Sequence, residues 1–478
     1  MNLSAVSPIV CAAVGAAAAY YTRAPFLMPV SAAVFAFLLH PRLRLWEPAV
    51  CALFLAAGVF FGAGARGLAE RESRIAVGQP LQNVRGVSGV LLDDPRASAF
   101  GRGFGRVRLA QSVGLGCCRV SARGVVGAFF PEDAVARMRQ LGRGSSVFLS
   151  GVFLAGKDGP RFRAQGVHIV APPSPIDLLR TRARLGLVEA FSGKGEAWGG
   201  LALALLLGVR DKLEGVLAAK YREAGCSYIL ALSGMHLAII QAILAFLLKK
   251  PLGVKAAAAS GAAFTLFYLF LAGAQPSLVR AAFMSIAAAA AVVFSFPAKT
   301  LEILSLSFLS QIAFDAGSGL SASFILSYLA LSGLLLVGRS IEGALRGCLP
   351  SFLLSPLASS LGAFAATAPV VVFFFGVLRP VGILSGLALS PLSALFMAGS
   401  LLFLVLHFTF PPLSAPLGAA LSQLYKLIEM TAAAAARFPA VAPGASVFVL
   451  ALGSVLPFVI FCVCRHRISA RLAIEAFD

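Results

Sequence analysis

Apolar runs of close to 20 residues recur along most of this chain, and no other feature constrains its fold as strongly. A helix of about 20 residues crosses the hydrocarbon core of a bilayer. The sequence is 59% hydrophobic and 13% charged, whereas soluble domains are about 45–50% apolar and about 25% charged. The chain is therefore predicted to be a polytopic α-helical membrane protein.

The predicted spans fall into two groups. Three open the chain, at about 5–22, 25–40 and 47–65. Nine follow later, at about 226–248, 256–273, 278–297, 300–314, 320–337, 355–377, 381–408, 414–436 and 445–464. Lys and Arg concentrate in cytoplasmic loops. The basic links at 41–44 and 249–255 and the basic tail after 464 are therefore expected in the cytoplasm.

Between the two groups of predicted spans the composition and the hydrophobic pattern of the sequence change. Residues 66–184 hold 19 Lys or Arg and 8 Asp or Glu, a net charge of +11 (19 − 8). Short alternating segments predict five strands, at 81–92, 103–112, 117–127, 146–154 and 161–169, with a helix at 131–141 between the third and the fourth. That order is typical of an OB-type barrel. Residues 66–175 are thus predicted to form a basic, OB-like β-barrel domain outside the cytoplasm.

The segment 176–224 mixes charged and apolar helical stretches. Trp198–Gly208 is apolar but too short to span the bilayer, so this segment is interpreted as amphipathic helices at the membrane interface. Arg210 and Asp211 are expected on such an interfacial helix. The second group of spans, residues 225–478, forms the membrane core, and residues 1–65 the three opening spans.

One apolar stretch, Tyr228–Ile240 (YILALSGMHLAII), carries polar residues near its middle. Ser233 and His236 are three residues apart and would share one face of a helix, and Gly234 allows another backbone to come close. Such polar groups either join neighbouring helices or line an aqueous path. A catalytic Ser233–His236 pair would need a third group to orient the histidine.

The segments around this stretch resemble the membrane core of the ComEC-type competence proteins. The matching pieces are Leu205–Leu213, Gly225–Leu237, Pro276–Ala281 and Phe324–Ala330. The resemblance implies a channel that carries single-stranded DNA across the cytoplasmic (inner) membrane in natural transformation. It also implies a cytoplasmic DNA motor and other competence proteins as partners, with a homodimer left open, and no enzymatic activity or cofactor.

The resemblance assigns candidate site residues. The expected translocation path contains Ser233, Gly234, His236, Arg280 and Ser327. Arg280 would contact phosphate at the pore mouth or extend to the membrane interface. Arginines interleaved with phenylalanine suit a groove for single-stranded nucleic acid, and a basic barrel near anionic headgroups is the alternative. The candidate DNA-binding residues are Arg102, Phe104, Arg106, Arg108, Arg119, Arg123, Arg161 and Arg163.

Two departures from the family pattern limit this interpretation. Ser385-Gly386 stands where an Asn is common, and the metallo-β-lactamase-like domain of many members is not expected here, so a separate protein would supply nuclease activity. No spacing suggests a metal site. Two alternatives stay open, namely an intramembrane serine hydrolase using Ser233 and His236, and a transporter of another anionic polymer or lipid-linked precursor.

Overall fold

The computed structural model describes residues 7–21, 47–73, 75–97, 103–114, 119–154, 160–192, 197–346 and 349–441. They belong to two compact units. The membrane unit comprises Met1–Ala65, Glu214–Leu266 and Gln275–Asp478, and the sheet unit comprises Arg66–Leu213 and Phe267–Ala274. The predicted spans at 25–40 and 445–464, and the candidate residue Arg102, lie outside the described residues.

The elements form two blocks along the chain, the first with both helices and strands and the second with helices only. The first block is α1 (Pro8–Tyr21), α2 (Glu47–Ser73), β1 (Ala76–Val77), β2 (Val84–Leu91), β3 (Arg96–Ala97), β4 (Gly103–Gly114), β5 (Arg119–Arg123), β6 (Val125–Phe130), α3 (Glu132–Leu141), β7 (Ser146–Leu154) and β8 (Arg161–Ala171). The second is α4 (Pro175–Ser192), α5 (Ala197–Leu207), α6 (Gly215–Glu223), α7 (Ser227–Leu230), α8 (Gly234–Ala272), α9 (Pro276–Phe294), α10 (Thr300–Phe314), α11 (Ala322–Gly333), α12 (Ser351–Phe375), α13 (Gly382–Thr409) and α14 (Pro411–Ala436).

Six helical segments among the described residues are long and apolar enough to cross a membrane. They are Leu53–Arg71, Gly234–Ala272, Pro276–Phe294, Ala322–Ala344, Ser351–Phe375 and Gly382–Thr409. Large apolar side chains such as Phe246, Phe294 and Phe373 are exposed on them. Such surfaces are costly in water but favourable in lipid. The prediction of a multi-pass, largely helical membrane protein is confirmed.

Helix α8 consists of two halves that meet at Gly253. This residue has φ +80° and ψ 169°, which a helix does not contain. Gln241 Nε2 donates to Thr265 Oγ1 at 2.6 Å, although 24 residues of straight helix would separate them by about 36 Å. The two halves therefore lie side by side, in agreement with the two separate spans predicted at 226–248 and 256–273.

Small residues bring α11 and α12 into close contact. A Cβ added at Gly333 would lie 2.3 Å from the carbonyl oxygen of Gly362. No side chain fits at that separation, so the two backbones touch here. Interfaces of this kind are common between membrane helices, where dispersion forces between closely spaced backbones drive association.

In the sheet unit, each of the five long strands β2, β4, β6, β7 and β8 pairs with two others of this set. β2 pairs with β4 and β7, β4 also with β6, and β8 joins β7 and β6. Among the strand pairings of the described residues in this unit, only that of β6 with β8 is parallel. The alternation of buried and exposed residues places Val107, Phe130, Leu149 and Phe162 in one apolar core. The predicted strands at 81–92, 103–112, 146–154 and 161–169 correspond to β2, β4, β7 and β8, and the predicted helix at 131–141 corresponds to α3. The predicted third strand, at 117–127, is instead divided into β5 and β6.

A buried ion pair joins α4 to the loop after β2. Both guanidinium Nη atoms of Arg180 donate to Asp94, at 3.0 and 2.8 Å, and its Nε donates to the carbonyl oxygen of Phe270 at 2.6 Å. Arg184 lies 3.6 Å from the same carboxylate. Burial alone would raise the pKa of Asp94, but the hydrogen bonds and charges of Arg180 and Arg184 outweigh it and lower that pKa.

The same arginines explain why the sheet unit extends to Leu213. Arg184 Nη1 donates to the carbonyl oxygens of Leu271 and Ala272, and Nη2 to that of Leu207. These carbonyls end α8 and α5, where helices lack internal donors. Ten of the eleven residues of α5 are buried. This helix therefore lacks the exposed polar face expected of an interfacial helix.

Candidate functional site

The helix predicted through Ser233 is interrupted. α7 ends at Leu230, Ala231 is extended (φ −79°, ψ 131°), and α8 begins only at Gly234. Ser233 is the N-cap of α8, since its carbonyl oxygen accepts from the amide of Leu237. The prediction that Ser233 and His236 share a face in mid-helix is therefore wrong. A Ser-Gly pair favours this break because serine caps helices and glycine lacks a side chain that would crowd those of Arg280 and Ala281.

Ser233 and His236 still contact each other, through a helix cap. The amide of Ser233 donates to His236 Nδ1 at 3.0 Å, and Ser233 Oγ lies 3.0 Å from the same nitrogen. In a capping box a Glu or Gln at this third helical position fulfils the same role. Because Nδ1 accepts, the neutral ring carries its proton on Nε2. His236 is 1% exposed, and its Nε2 has no hydrogen-bond partner among the described residues.

Arg280 of α9 lies directly beside this cap. Its Nη2 would be 3.3 Å from a Cβ placed on Gly234, so the missing side chain makes room for the guanidinium. The guanidinium carbon lies 5.8 Å from the centre of the Tyr328 ring, and Nη1 lies 3.8 Å from the sulfur of Met284. Arg280 is only 8% exposed. This burial is contrary to an arginine that extends to the membrane interface.

Hydrogen bonds fix the helices around Arg280. Tyr328 donates to Gln311 Oε1 at 3.0 Å and lies 2.9 Å from Ser307 Oγ. Gln311 Nε2 donates to the carbonyl oxygen of Pro276 at 2.9 Å, and Ser277 Oγ donates to that of Leu232 at 2.6 Å. This network holds the start of α9 against the break before α8.

Ser307, Gln311 and Tyr328 were not predicted as site residues, although the sequence contains a signal for the first two. Ser307 and Gln311 are four residues apart in an otherwise apolar helix, and both are buried. Ser327 was selected, but its neighbour Tyr328 makes the contact with Arg280. Ser327 itself is half-buried in α11, and the structure does not bring it into hydrogen-bonding contact with Ser233, His236 or Arg280. Aromatic residues in membrane helices are common enough that Tyr328 did not stand out.

The Ser233–His236 pair has part of the geometry of a hydrolase. The 3.0 Å separation of Oγ and Nδ1 is within reach for proton transfer from a serine nucleophile to a histidine base. A third group usually orients such a histidine, but none of the described residues bonds to Nε2. The described residues also contain no group of three His, Cys, Asp or Glu side chains that could hold a metal ion.

A second candidate site lies on the sheet unit and is here called the basic outer face. It consists of the exposed side chains of β4, β5, β6 and β8. Phe104 pairs with Phe129, which pairs with Arg163, and Arg106 pairs with Gly127, which pairs with Arg161. Its candidate members all alternate with inward-facing residues: Phe104, Arg106, Arg108, Arg119, Arg123, Arg161 and Arg163.

Two aromatic rings form the centre of this face. The Phe104 and Phe129 rings are 5.3 Å apart, and the Phe104 ring lies over Gly127, which has no side chain to displace it. Arg106 forms a two-pronged ion pair with Asp93, at 2.6 and 3.0 Å. That pairing offsets its charge, so Arg163 is better placed for an anionic ligand. Phe129 was missed in the sequence because it directly precedes the buried Phe130.

Arg210 and Asp211 do not lie on an interfacial helix. They occupy the turn between α5 and α6, because α5 ends at Leu207 with Gly208 in the left-handed region (φ +66°). Asp211 forms an ion pair with Arg139 of α3. This pair explains the position of Asp211 without a role in binding.

The sequence model of the Competence protein family matches residues 205–467, more than half of the chain. The chain belongs to the Competence protein family. The match includes Ser233, Gly234, His236 and Arg280, whereas the basic outer face lies before it.

Two curated relatives match more weakly. ComE operon protein 3 of Bacillus subtilis (strain 168) is 29% identical over 178 residues, which are 37% of this chain and 22% of the relative. An uncharacterized protein of Aquifex aeolicus (strain VF5) is 29% identical over 230 residues, 47% of this chain and 53% of the relative. The chain thus spans about a fifth and about half of their lengths. No solved structure matches the chain.

Proposed function

We propose that this Competence-family protein is a channel that carries single-stranded DNA across the cytoplasmic membrane in natural transformation. The observation that carries the proposal is the helix break at Ser233-Gly234, with His236 and Arg280 buried beside it. Ionisable residues at such a depth usually mark a pathway for ions or substrate. Family membership supports DNA uptake over other transported anions.

Physical chemistry sets strict demands on such a path. A polyanion has to cross about 30 Å of hydrocarbon, so polar or cationic groups must replace its water shell along the route. Non-helical backbone is tolerated at membrane depth only inside protein or beside water. The break at Ala231–Ser233 meets this condition if it borders the path. The proposed lining comprises Ser233, Gly234, His236, Arg280 and Ser327.

The basic outer face is proposed to receive the strand before it enters the membrane. Bases stack on aromatic rings and phosphates pair with Arg in sites for single-stranded nucleic acid, and Phe104, Phe129, Arg161 and Arg163 offer both. The strand pairings, with the parallel β6–β8 pair and α3 before β7, support an OB-like domain. We place this domain outside the cytoplasm and the Lys249–Lys255 link inside.

The proposed partners follow from what transport of a DNA strand requires. Transport of a strand needs a driving force, so we propose a cytoplasmic DNA motor, and a separate nuclease would produce the single strand. Other competence proteins would deliver DNA to the basic outer face, and the channel could function as a homodimer. We propose no enzymatic activity and no cofactor for the chain itself.

DNA uptake is tested by following fluorescent DNA into the cytoplasm of cells that lack the protein. The wild-type chain should restore entry, and His236→Ala should not. His407→Ala is the matched control, since His407 also lies in a membrane helix and its ring packs against those of Phe403 and Phe408. Equal entry with and without the protein would reject DNA uptake and favour a transporter of another anionic polymer or lipid-linked precursor.

A second function, intramembrane hydrolysis, is favoured by one observation, the 3.0 Å contact between Ser233 Oγ and His236 Nδ1. A serine-reactive phosphonate should then label the protein, and Ser233→Ala should abolish the labelling. If wild type is not labelled while DNA enters normally, the contact serves only as a helix cap.

A further inference from the structure

The start of α8 concentrates hydrogen-bond donors. The amides of Gly234, Met235 and His236 form the first turn, where a helix provides no internal acceptors. The amide of Ser233, which would otherwise be a fourth, is satisfied by His236 Nδ1. The helix dipole adds partial positive charge at this end. Helix N-termini are common, so this one indicates a binding site only if other groups that attract an anion lie beside it.

Arg280 faces it, and no ion pair within the described part of the chain balances its charge. Arg280 Nη2 lies 3.3 Å from the position that a Cβ of Gly234, the first residue of α8, would occupy. Among the residues that the structure describes, no carboxylate forms an ion pair with Arg280, and its Nε has no hydrogen-bond partner. The Tyr328 ring and the Met284 sulfur are its polar contacts, and neither carries a charge.

A second helix start adds to the positive potential. α9 begins at Pro276, and its Ser277 hydroxyl is bonded to the carbonyl of Leu232, just before the break. Two helix N-termini and one guanidinium therefore converge. His236 Nε2, buried and without a described partner, provides one more donor. Buried cations are normally paired, because removing a charge from water is costly.

We propose that Gly234, Met235, His236 and Arg280 form a binding site for a single phosphate group, here called the α8 anion site. Helix amides and the fork of an arginine are the donors that phosphate oxygens prefer. The phosphate could belong to a DNA backbone or to a lipid headgroup. Occupancy by DNA rests on the proposed function, whereas binding of the phosphate group does not.

The site is tested with the full-length protein in an uncharged detergent and phosphate-free buffer. Inorganic phosphate is added, and the melting temperature is followed, since a ligand that binds only the folded state raises it. Phosphate should stabilise wild type, and Arg280→Gln should weaken the apparent affinity at least about tenfold. Arg280→Lys keeps the charge but not the fork and should bind with intermediate affinity. Arg437→Gln, the same change at an exposed arginine, should match wild type.

A purely structural Arg280 predicts a different pattern. Arg280→Gln would then lower the melting temperature equally with and without phosphate, and wild type would not respond to phosphate. Either result overturns the site. If Arg280→Gln does not fold, Gly234→Ala serves instead. Its Cβ would press on the guanidinium at 3.3 Å and should reduce the phosphate effect.

Competition identifies the source of the phosphate. An oligothymidylate that displaces inorganic phosphate assigns the site to the DNA backbone. Vesicles of phosphatidylglycerol that displace it, when the oligonucleotide does not, assign it to lipid headgroups and separate the site from DNA transport. Both results keep the α8 anion site. DNA entry into cells with no phosphate binding would instead keep the proposed function and reject the site.

Discussion

Asp94 offers the sharpest test of the forces in the sheet unit. Its carboxylate receives two hydrogen bonds from Arg180, whose side chain is 1% exposed. Asp94→Asn removes the negative charge but keeps the size and one acceptor oxygen. Arg180 and Arg184 would then remain close together without the carboxylate that lies between them. We expect a large loss of stability for so small a change.

The magnitude follows from the burial of Arg180, since its side chain is 1% exposed and that of Asp94 is 23% exposed. Removing one partner of a buried ion pair costs about 3–5 kcal/mol, because the other charge stays buried and uncompensated. The neighbouring Asp93 provides a matched control. Its ion pair with Arg106 is exposed, at 29% and 55% of the two side chains, and exposed pairs contribute up to about 1 kcal/mol. The same Asp→Asn change at adjacent positions should therefore have very different effects.

Thermal unfolding of the full-length protein in detergent measures the difference. For units of 150–250 residues, 1 kcal/mol corresponds to about 2–4 °C, so Asp94→Asn should lower the midpoint by about 6 °C or more. Asp93→Asn should lower it by less than about 4 °C. The fluorescence of Trp198, buried in α5, follows the sheet unit. Equal, small shifts for both variants would show that the buried pair does not stabilise the fold as argued.

The pKa of Asp94 adds a pH dependence with a definite sign. The pKa is lowered in the folded protein from its ordinary value of 3.8. The resulting stabilisation is fully present above that value and is lost as the pH falls through the lowered pKa. Wild type should therefore lose its advantage over Asp94→Asn only below about pH 4. An advantage that disappears already at pH 6 would contradict this assignment.

Three further predictions concern other contacts. Tyr328→Phe should destabilise the protein by about 1–3 kcal/mol, since Gln311 loses a buried hydrogen-bond partner; unchanged thermal unfolding would contradict this. Gly333→Ala should lower the melting temperature because its Cβ would meet backbone at 2.3 Å, whereas Gly261→Ala, with open space around it, should not. Arg163→Gln should reduce the slope of log affinity for oligothymidylate against log salt by about 0.7; an unchanged slope in a filter-binding titration would remove Arg163 from the DNA site.

Most of the fold could be predicted because it follows from the two-residue alternation of the strands and the length of the apolar segments. The strands around Val107 and Phe162 alternate cleanly, and the apolar helices are long enough to leave few other interpretations. The break at Ser233 could not be predicted by these rules. Its flanks are continuous apolar sequence, and what ends the helix is the cap formed by Ser233 and His236.

The candidate sites were predicted less completely than the fold. Ser233, Gly234, His236 and Arg280 lie close together, and their role in a translocation path stays a prediction. The contacts of Asp93 and Asp211 with distant arginines changed the interpretation of Arg106 and Arg210. Ion pairs between residues far apart in sequence depend on the tertiary fold, which neither periodicity nor spacing encodes.

The interrupted helix also affects how the chain can be made. Ser277 satisfies the carbonyl of Leu232, and Ser385 satisfies that of Ala224, 161 residues earlier. At about 5–20 residues per second, synthesis of that distance takes about 10–30 s. During this interval lipid tails could not satisfy these carbonyls. The segment with Ala224 and Leu232 must therefore stay in contact with water or a chaperone until its partners are made. Membrane insertion of this chain cannot proceed strictly one helix at a time.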